Sequence, residues 1–516
     1  MKSLLLATSC LFCLLASGHV QARTAPTGIA RSVTSFGAVC NGVTDDKAAL
    51  TAALGSGGAV YVPGGATCFS SGPIQVTANS LELFGGGSET AALLFGGTEG
   101  GIAWTGGHGR QPLISGYGNG VSIHNLAIET AGNGGGVAVA LTCTAQPWVR
   151  LHDLNIQGRI QTTNYWTKGI LLTDCVNDFI AQNWIWGANE RNRETVALEI
   201  TGKGGDIHHV SHNTVQGWDT CVRVLSTGKE WIEGVHFDNN NITGCNTAID
   251  IDETSTGGHP AGMFIRGNEF NCFAASALTP ACIRLKSVSE FFIDDNIAYQ
   301  TTHANDLIRI ENSPNGNVNA NFLSGEGGGV PANLIDIVGS NSVNTIGNIF
   351  QTATTGVSYD GNSSYGSAIG NAVSSGVGTK VKTAGANAVI DGSAGNVLAI
   401  MPSPLNGGGR TILLGGAQFG IRTIATGTSD KAQGSDYTIE WHSPSIGVKA
   451  ETLPPCSPGS KGQTIIVKDG FGNAAKYRIA LLADSGSRID GASFKTISAN
   501  YGSAKLQCDG TNWMNE

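Results

Sequence analysis

Charged side chains are scarce in this chain of 516 residues, because Asp, Glu, Lys and Arg together make up only 13% of it. The 30 Lys and Arg are outnumbered by 39 Asp and Glu, which gives a formal net charge of −9. Proteins that bind nucleic acid through phosphate contacts are basic, so that class is excluded. A disordered polyelectrolyte is also excluded, because 41% of the residues are hydrophobic. Beyond the amino terminus no apolar run approaches the roughly 18 residues of a membrane span, so we expect none.

The amino terminus has the pattern of a secretory signal. Met1-Lys2-Ser3 is a short positive start, Leu4 to Ala16 is apolar, and Val20-Gln21-Ala22 places small residues at the usual cleavage positions. We therefore predict that residues 1–22 are a signal peptide and that the protein is secreted, to the extracellular space or the periplasm.

Cysteine usage agrees with an oxidising compartment, since ten cysteines remain after residue 22. The simplest connectivity joins neighbours in the sequence, with Cys245–Cys272 as an alternative pair. Spacings typical of a thiolate zinc site do not occur, so we predict no metal bound by cysteine. The neighbouring pairs are Cys40 with Cys68, Cys143 with Cys175, Cys221 with Cys245, Cys272 with Cys282, and Cys456 with Cys508.

A repeat of 23 to 30 residues runs through the middle of the chain, marked by Asn, or once Asp, before an apolar pair. Such a period indicates a solenoid. Each unit also contains a short apolar-x-apolar run such as Ile249-Asp250-Ile251, in which the middle side chain faces outward. These features predict a parallel β-helix. The marker residues are Asn125, Asp153, Asn183, Asn213, Asn240, Asn268, Asn296, Asn321, Asn348 and Asn371.

Two amino-terminal segments resemble a known superfamily. The run from Phe36 to Leu50, with Asn41-Gly42-Val43-Thr44-Asp45-Asp46 at its centre, and the run from Gly58 to Gly65 are similar to the signature of the pectate lyase superfamily. That superfamily includes polygalacturonases, rhamnogalacturonases and phage tailspikes. The resemblance implies an all-β, right-handed parallel β-helix, which we place at residues 23–375. Asp45 or Asp46 is expected to cap a helix that ends near Leu54 and plugs the open end of the coil.

Residues 376–516 have a different texture, with alternating strands and Asp-Gly or Gly-Asn turns. This pattern predicts a small antiparallel β-sandwich. It is similar to carboxy-terminal modules of phage tail fibres, which implies glycan contact or formation of a homotrimer. The alternative is a cap over the last open edge of the solenoid.

Stacking of the units predicts two outward stripes of side chains on one sheet. Adjacent strands lie about 4.8 Å apart, so Glu199 is expected roughly 9.6 Å from Asp250, two strands away. Asp252 is expected roughly 6.5–7 Å from Asp250 on the same strand. The first stripe is Leu171, Glu199, Arg223, Asp250, Arg284, Arg309 and Asp336. The second stripe is Thr173, Thr201, Leu225, Asp252, Lys286, Glu311 and Val338.

These spacings suit an inverting glycosidase, whose two carboxyl groups lie roughly 6.5–9.5 Å apart. We therefore predict Asp250, Asp252 and Glu199 as the catalytic acid and base. We predict that the cations beside those carboxylates bind substrate anions or orient hydroxyls; they are Arg223, Arg284 and Lys286. The alternative is a cross-strand ladder of salt bridges without catalysis.

Tryptophans are concentrated in the same units, since five of the nine fall between Trp166 and Trp231. Indole faces stack on sugar rings, so we predict Trp184, Trp186 and Trp218 as substrate-binding residues.

A second resemblance concerns Asn246-Thr247 to Asp250, then Gly258-His259, then Arg284-Leu285-Lys286, which are similar in order to the Asn-Thr-Asp, Gly-His and Arg-Ile-Lys elements of polygalacturonases. It implies acid and base roles for Asp250 and Asp252, and contacts of His259, Arg284 and Lys286 with a carboxylated sugar. The Asn-Thr-Asp element is interrupted here, and Leu285 replaces Ile.

Together these features predict a secreted enzyme that degrades an acidic or complex plant or bacterial polysaccharide by hydrolysis, with no cofactor. One alternative is a lyase, in which Arg or Lys removes a proton next to a uronate carboxylate and an acidic cluster holds calcium. Another is a non-catalytic, tailspike-like adhesin that binds a glycan.

Overall fold

The structure is a computed structural model that describes residues 30–106, 120–144, 148–188, 194–202, 205–228, 231–256, 262–273, 281–300, 306–326, 330–383, 389–390, 421–433, 436–484 and 486–516. The predicted signal peptide, residues 1–22, lies outside the described residues. The chain forms two compact units, Met1–Gly407 and Gly408–Glu516.

The first unit is a right-handed parallel β-helix, as the sequence predicts. Each full turn contributes one strand to each of three parallel sheets. Inward side chains such as Ile249 and Ile251 are fully buried, whereas Asp250 between them faces outward. This alternation of period two builds one apolar core along the whole coil. Among the described residues no helix is long and apolar enough to cross a membrane.

We name the three sheets by number. Sheet 1 has twelve strands: Ile74–Val76, Ile102–Gly106, Val137–Cys143, Lys168–Thr173, Val196–Gly202, Thr220–Ser226, Thr247–Asp252, Ala281–Lys286, Asp306–Glu311, Asn333–Val338, Ala353–Tyr359 and Val377–Thr383. Sheets 2 and 3 are joined because two long strands, Gly120–Thr130 and Trp148–Gly158, bend from one into the other.

The remaining strands of sheet 2 are Arg31–Ser32, Gly58–Val62, Leu81–Gly85, Asp178–Ala181, Gly205–Ser211, Ile232–Asp238, Met263–Arg266, Phe291–Asp294, Asn317–Asn319, Asn344–Ile346, Ser367–Ile369 and Val389–Ile390. Those of sheet 3 are Asn41–Asp45, Thr67–Ser70, Ala92–Phe95, Trp184–Trp186, Thr214–Gln216, Asn241–Cys245, Glu269–Cys272, Ile297–Gln300, Phe322–Gly325, Ile349–Gln351 and Ala372–Val373.

A buried asparagine ladder lines the corner between sheets 2 and 3. Asn268, for example, donates from Nδ2 to Asn296 Oδ1 at 3.0 Å and to the Phe237 carbonyl at 2.8 Å. Its own Oδ1 accepts from the backbone and side-chain nitrogens of Asn240. Each interior amide therefore has its hydrogen bonds satisfied without water. The ladder consists of Asn183, Asn213, Asn240, Asn268, Asn296, Asn321, Asn348 and Asn371.

Two marker residues of the predicted repeat are not part of this ladder. Asn125 and Asp153 have positive φ angles of 51° and 53°. In later turns the residue with a positive φ directly precedes the ladder asparagine, as His212 precedes Asn213. Leu126 and Leu154 occupy the inward position instead. The alignment of Asn125 and Asp153 was thus wrong by one residue, because asparagine and aspartate also tolerate the left-handed turn position.

The predicted capping helix spans Lys47–Gly55 and buries Leu50, Ala53 and Leu54 against the first strands. Asp45 Oδ1 accepts a hydrogen bond from the Lys47 backbone nitrogen at 3.1 Å, so it satisfies one free amide of the first turn. At the other end of the coil, Val377–Thr383 pairs with Ala353–Tyr359 and carries sheet 1 past residue 375.

The second unit has two sheets around its own core. One contains Ile421–Ile424, Thr438–Trp441, Thr464–Asp469, Ser503–Cys508 and Trp513–Asn515, and the other contains Ser429–Lys431, Lys449–Thr452, Ile479–Leu482 and Phe494–Ile497. The predicted antiparallel arrangement is wrong for the first part of this unit. Four of the seven pairings within the described residues are parallel, because successive strands alternate between the sheets instead of forming hairpins.

All five disulfides join the neighbouring cysteines that the sequence predicts. Cys245 and Cys272 are register partners on adjacent strands of sheet 3, which explains why their pairing was a reasonable alternative. In the structure Cys245 is bonded to Cys221 and Cys272 to Cys282 instead.

Candidate functional site

Both predicted stripes lie on the outer face of sheet 1 in the predicted register. Glu199 pairs with Arg223, Arg223 with Asp250, and Asp250 with Arg284 on successive strands. Two residues further along the same strands, Asp252 pairs with Lys286. The stacking therefore brings together acidic and basic side chains that lie 24 or more residues apart.

Asp250 lies between two guanidinium groups. Arg284 Nε donates to Asp250 Oδ1 at 2.7 Å, and Arg223 Nε lies 3.6 Å from Asp250 Oδ2. The side chain of Asp250 keeps 16% of its surface exposed. The carboxylate is thus neutralised from both neighbouring strands while one part of it stays accessible.

The other two predicted catalytic carboxylates have cationic partners as well. Glu199 contacts Lys168 Nζ at 2.7 Å and Arg223 Nη1 at 3.9 Å. Asp252 contacts Lys286 Nζ at 3.2 Å and Arg284 Nη2 at 3.5 Å. These contacts form the salt-bridge ladder that the sequence allowed as the alternative to catalysis.

Asp252 is unsuited to act as a general acid near neutral pH. Burial alone raises the pKa of Asp252, but hydrogen bonds from Thr254 and the ion pair with Lys286 outweigh it and leave the pKa below its ordinary value. A general acid needs a raised pKa, so Asp252 can serve only as an ionised group.

A carboxyl group with the opposite shift is Asp219, which sequence reasoning missed. Burial raises the pKa of Asp219 above its ordinary value, and nearby Glu194 adds to this, against the hydrogen bond from Asn246 and the charge of Arg223. Asn246 Nδ2 donates to Asp219 Oδ1 at 2.6 Å. The only sequence signal was the recurring acid or amide before threonine at the start of a strand, as in Asp219-Thr220 and Asn246-Thr247.

Arg223 connects Asp219 with Asp250. Its Nη2 lies 3.4 Å from Thr220 Oγ1, next to Asp219, while its Nε faces Asp250. Asp219, half-buried with a raised pKa, therefore lies within the electrostatic influence of the guanidinium that pairs with Asp250. A general acid needs a raised pKa, which Asp219 has.

A second group of carboxyls lies farther along sheet 1. Burial and the facing Asp306 carboxyl raise the pKa of Asp336 to about 6, against the charge of Arg309. Arg309 Nη1 donates to Asp306 Oδ2 at 3.0 Å and to Asp336 Oδ2 at 2.7 Å. Glu311 also bonds to Arg309. Because both aspartates are nearly buried, this group is less accessible than Asp219 and Asp250.

The tryptophans are not gathered beside these carboxylates as predicted. Trp184 and Trp186 project from sheet 3, a different face of the coil. Trp218 is fully buried and donates from Nε1 to the Ile185 carbonyl at 3.2 Å, so its assignment as a substrate-binding residue was wrong. The predicted ligand His259 lies outside the described residues.

Metal-ligating side chains approach one another in two places among the described residues. One group is Cys40, Asp46 and Cys68, in which the cysteines are consumed by a disulfide. The other is His209, His236 and Asp238 on the outer face of sheet 2, with the ligand atoms within 4.8 Å of one another. Neither group belongs to sheet 1, so neither lies among the predicted catalytic residues.

Comparison with known proteins finds likeness at the level of structure only. No family model matches the chain, and no curated protein matches it. The chain is similar to tailspike protein 3 of bacteriophage CBA120, with 14% identity and a TM-score of 0.43, over 74% of this chain and 66% of that one. It is also similar to the catalytic unit of a GH87 α-1,3-glucanase from Streptomyces thermodiastaticus strain HF3-3, with 16% identity and a TM-score of 0.45, over 70% of each chain.

A third similar structure is DFA-IIIase from Arthrobacter chlorophenolicus A6 without its lid, with 15% identity and a TM-score of 0.43, over 72% of this chain and 96% of that one. The parallel β-solenoid is consistent with the pectate lyase-like superfamily that the amino-terminal segments resemble.

Proposed function

We propose that this protein is a glycoside hydrolase that cleaves a polysaccharide on the outer face of sheet 1. The observation that carries the proposal is the position of Asp250, which two guanidinium groups contact, on the strand next to the one that half-buried Asp219 directly precedes; burial raises the pKa of Asp219. Glycoside hydrolysis needs one protonated and one ionised carboxyl group on opposite sides of the scissile bond. The sheet has twelve strands, enough for an extended polymer to lie across several of them.

In this mechanism Asp219 donates its proton to the glycosidic oxygen as the bond from that oxygen to the anomeric carbon breaks. The Asp250 carboxylate accepts a proton from water, whose oxygen forms the new bond to the anomeric carbon. One water is consumed, and Asp219 and Asp250 exchange protonation states until solvent restores them. Glu199, on the other side of Arg223, is the second candidate for the base.

Arg223, Arg284 and Lys286 hold and orient the carboxylates, and they are proposed to contact substrate hydroxyl or carboxylate oxygens. Contacts with Asp250 and Asp252 outweigh burial and raise the pKa of Arg284 above its ordinary value. A lyase would need Arg or Lys as a base without its proton. The ion pairs of these cations disfavour that alternative, and with it the calcium that a lyase would use.

The second candidate function is that of a non-catalytic glycan-binding protein. It is favoured by the pairing of Glu199, Asp250 and Asp252, each of which has a cation within 4 Å. A ladder without catalysis would satisfy the same contacts.

One experiment separates these functions. The purified full chain is incubated with a panel of plant and bacterial polysaccharides, and new reducing ends and unsaturated uronates are measured together. Hydrolysis gives reducing ends without the unsaturated product, whereas a lyase gives both. Saturable binding of a panel member with no new ends would instead support the binding protein and contradict the hydrolase.

Export and assembly belong to the same proposal. Five disulfides are typical of proteins from an oxidising compartment, which supports secretion. Association into a homotrimer rests on the resemblance of the last 141 residues to tail-fibre modules.

A further inference from the structure

A polar groove lies on sheet 3, on a different face of the coil from Asp250. It consists of two adjoining cavities of about 450 Å³ and 250 Å³. The two cavities form one continuous depression, because both are lined by Ser88, Glu89 and Asn155. Together they are large enough for a short oligosaccharide.

The register of sheet 3 explains why the surface is concave there. Ala92, Ala127, Asn155 and Trp184 occupy the same outward position on four successive strands. The small side chains of the two alanines form the bottom of the groove. The turn that contains Ser88 and the side chain of Trp184 form its walls. The groove therefore follows directly from the side-chain sizes in one column of the sheet.

Trp184 lies at the end of this groove with 55% of its surface exposed. Its ring centroid is 6.1 Å from that of Trp186, and the two planes are inclined by 37°. An indole that is apolar on its faces and open to solvent, next to polar groups, is suited to the mixed apolar and hydroxyl surface of a sugar ring.

The groove also presents unsatisfied acceptors. Asn155 Oδ1 is buried and accepts no hydrogen bond from the residues that the structure describes. Gln157 Nε2 donates to Glu129 Oε1 at 3.3 Å, which leaves further acceptor capacity on that carboxylate. A ligand that fits has to donate hydrogen bonds, as sugar hydroxyls do.

The charge of the lining selects against anionic chains. Glu89, Glu129 and Asp153 face the groove, and Arg159 is the one cation among the residues that line it. A polyuronate would place carboxylates beside three carboxylates, which is unfavourable at close range.

From these observations we propose that the groove is a binding site for a neutral oligosaccharide, with Trp184 as the stacking platform and Asn155 as a hydroxyl acceptor. This site is separate from the proposed active site on sheet 1, and it does not depend on the proposed hydrolysis. It would hold a neutral glycan chain against sheet 3.

The test uses the full chain with cellohexaose, laminarihexaose and mannohexaose as neutral probes and hexagalacturonate as the anionic probe. Binding is followed by tryptophan fluorescence and by calorimetry. We expect at least one neutral hexaose to bind, Trp184→Ala to weaken it about tenfold or more, and Asn155→Ala to weaken it measurably.

Trp148→Ala is the matched control, because Trp148 is 53% exposed but does not line the groove. It should bind like the wild type, and circular dichroism with melting temperatures should show that all variants are folded. The proposal is overturned if no neutral hexaose binds, if Trp184→Ala keeps the wild-type affinity, or if Trp184→Ala weakens the binding of hexagalacturonate more than that of every neutral probe.

Discussion

Arg284 Nε donates a hydrogen bond of 2.7 Å to Asp250 Oδ1, although 34 residues separate them in the sequence. The intervening residues complete one turn of the coil, so the two side chains become register partners on sheet 1. The contact shows how a solenoid converts a sequence repeat into a compact group of charges.

A double-mutant cycle measures this contact. Arg284→Met leaves Asp250 with Arg223 as its remaining ion-pair partner. Because Arg284 is mostly buried, we expect a loss of about 1–3 kcal/mol in the free energy of unfolding. Asp250→Asn combined with Arg284→Met should cost less than the sum of the single variants, as urea unfolding would show. Strictly additive costs would mean that the ion pair contributes nothing.

The asparagine ladder should be sensitive at its centre. Asn268→Ala removes four hydrogen bonds, and with them the partners of the buried Asn240 backbone nitrogen and of the Phe237 carbonyl. We expect a loss of about 3 kcal/mol or more. Asn125→Gly is the control, since Asn125 is exposed, has a positive φ and lies outside the ladder. A comparable loss in both variants would contradict the role of the ladder.

Glu253 should make stability depend on pH. It is fully buried, and burial raises its pKa from 4.5 to about 7, against a hydrogen bond from Ser226. The folded chain keeps this proton longer than the unfolded chain, so the stabilising contribution is complete below about pH 4.5 and is lost as the pH rises through about 7.

Between pH 5 and pH 8, the melting temperature of Glu253→Gln should therefore decrease less than that of the wild type. Glu269→Gln, at an exposed position, should keep the wild-type dependence. Identical pH profiles for Glu253→Gln and the wild type would contradict the assignment.

Peptide mapping without reduction tests the disulfides. We expect fragments that join Cys221 to Cys245 and Cys272 to Cys282. Cys245 and Cys272 are neighbours in the sheet, so their linkage is the outcome that would show the connectivity to be wrong.

The sequence predicted the charged register because the alternation of apolar residues in runs such as Ile249-Asp250-Ile251 fixes which side chains face outward. A slip of one residue would have turned the charges into the core. The prediction of the repeat failed at Asn125 and Asp153. The left-handed turn position and the ladder position accept the same residue types, so the sequence could not distinguish them.

Other features depend on contacts that are distant in the sequence. The raised pKa of Asp219 arises from burial and from Glu194 near it, and neither is visible in the local pattern. The burial of Trp218 depends on the packing at a corner of the coil. The parallel pairing in the second unit depends on which sheet each strand joins, and strand patterns do not specify that.

The most direct test is the rate of polysaccharide cleavage by Asp219→Asn and Asp250→Asn, with Asp238→Asn on sheet 2 as the control. If Asp219 and Asp250 are the acid and base, each variant should lose about 10²–10⁴-fold in turnover while circular dichroism shows a folded chain and glycan binding is retained. Wild-type turnover in either folded variant would contradict the proposed mechanism.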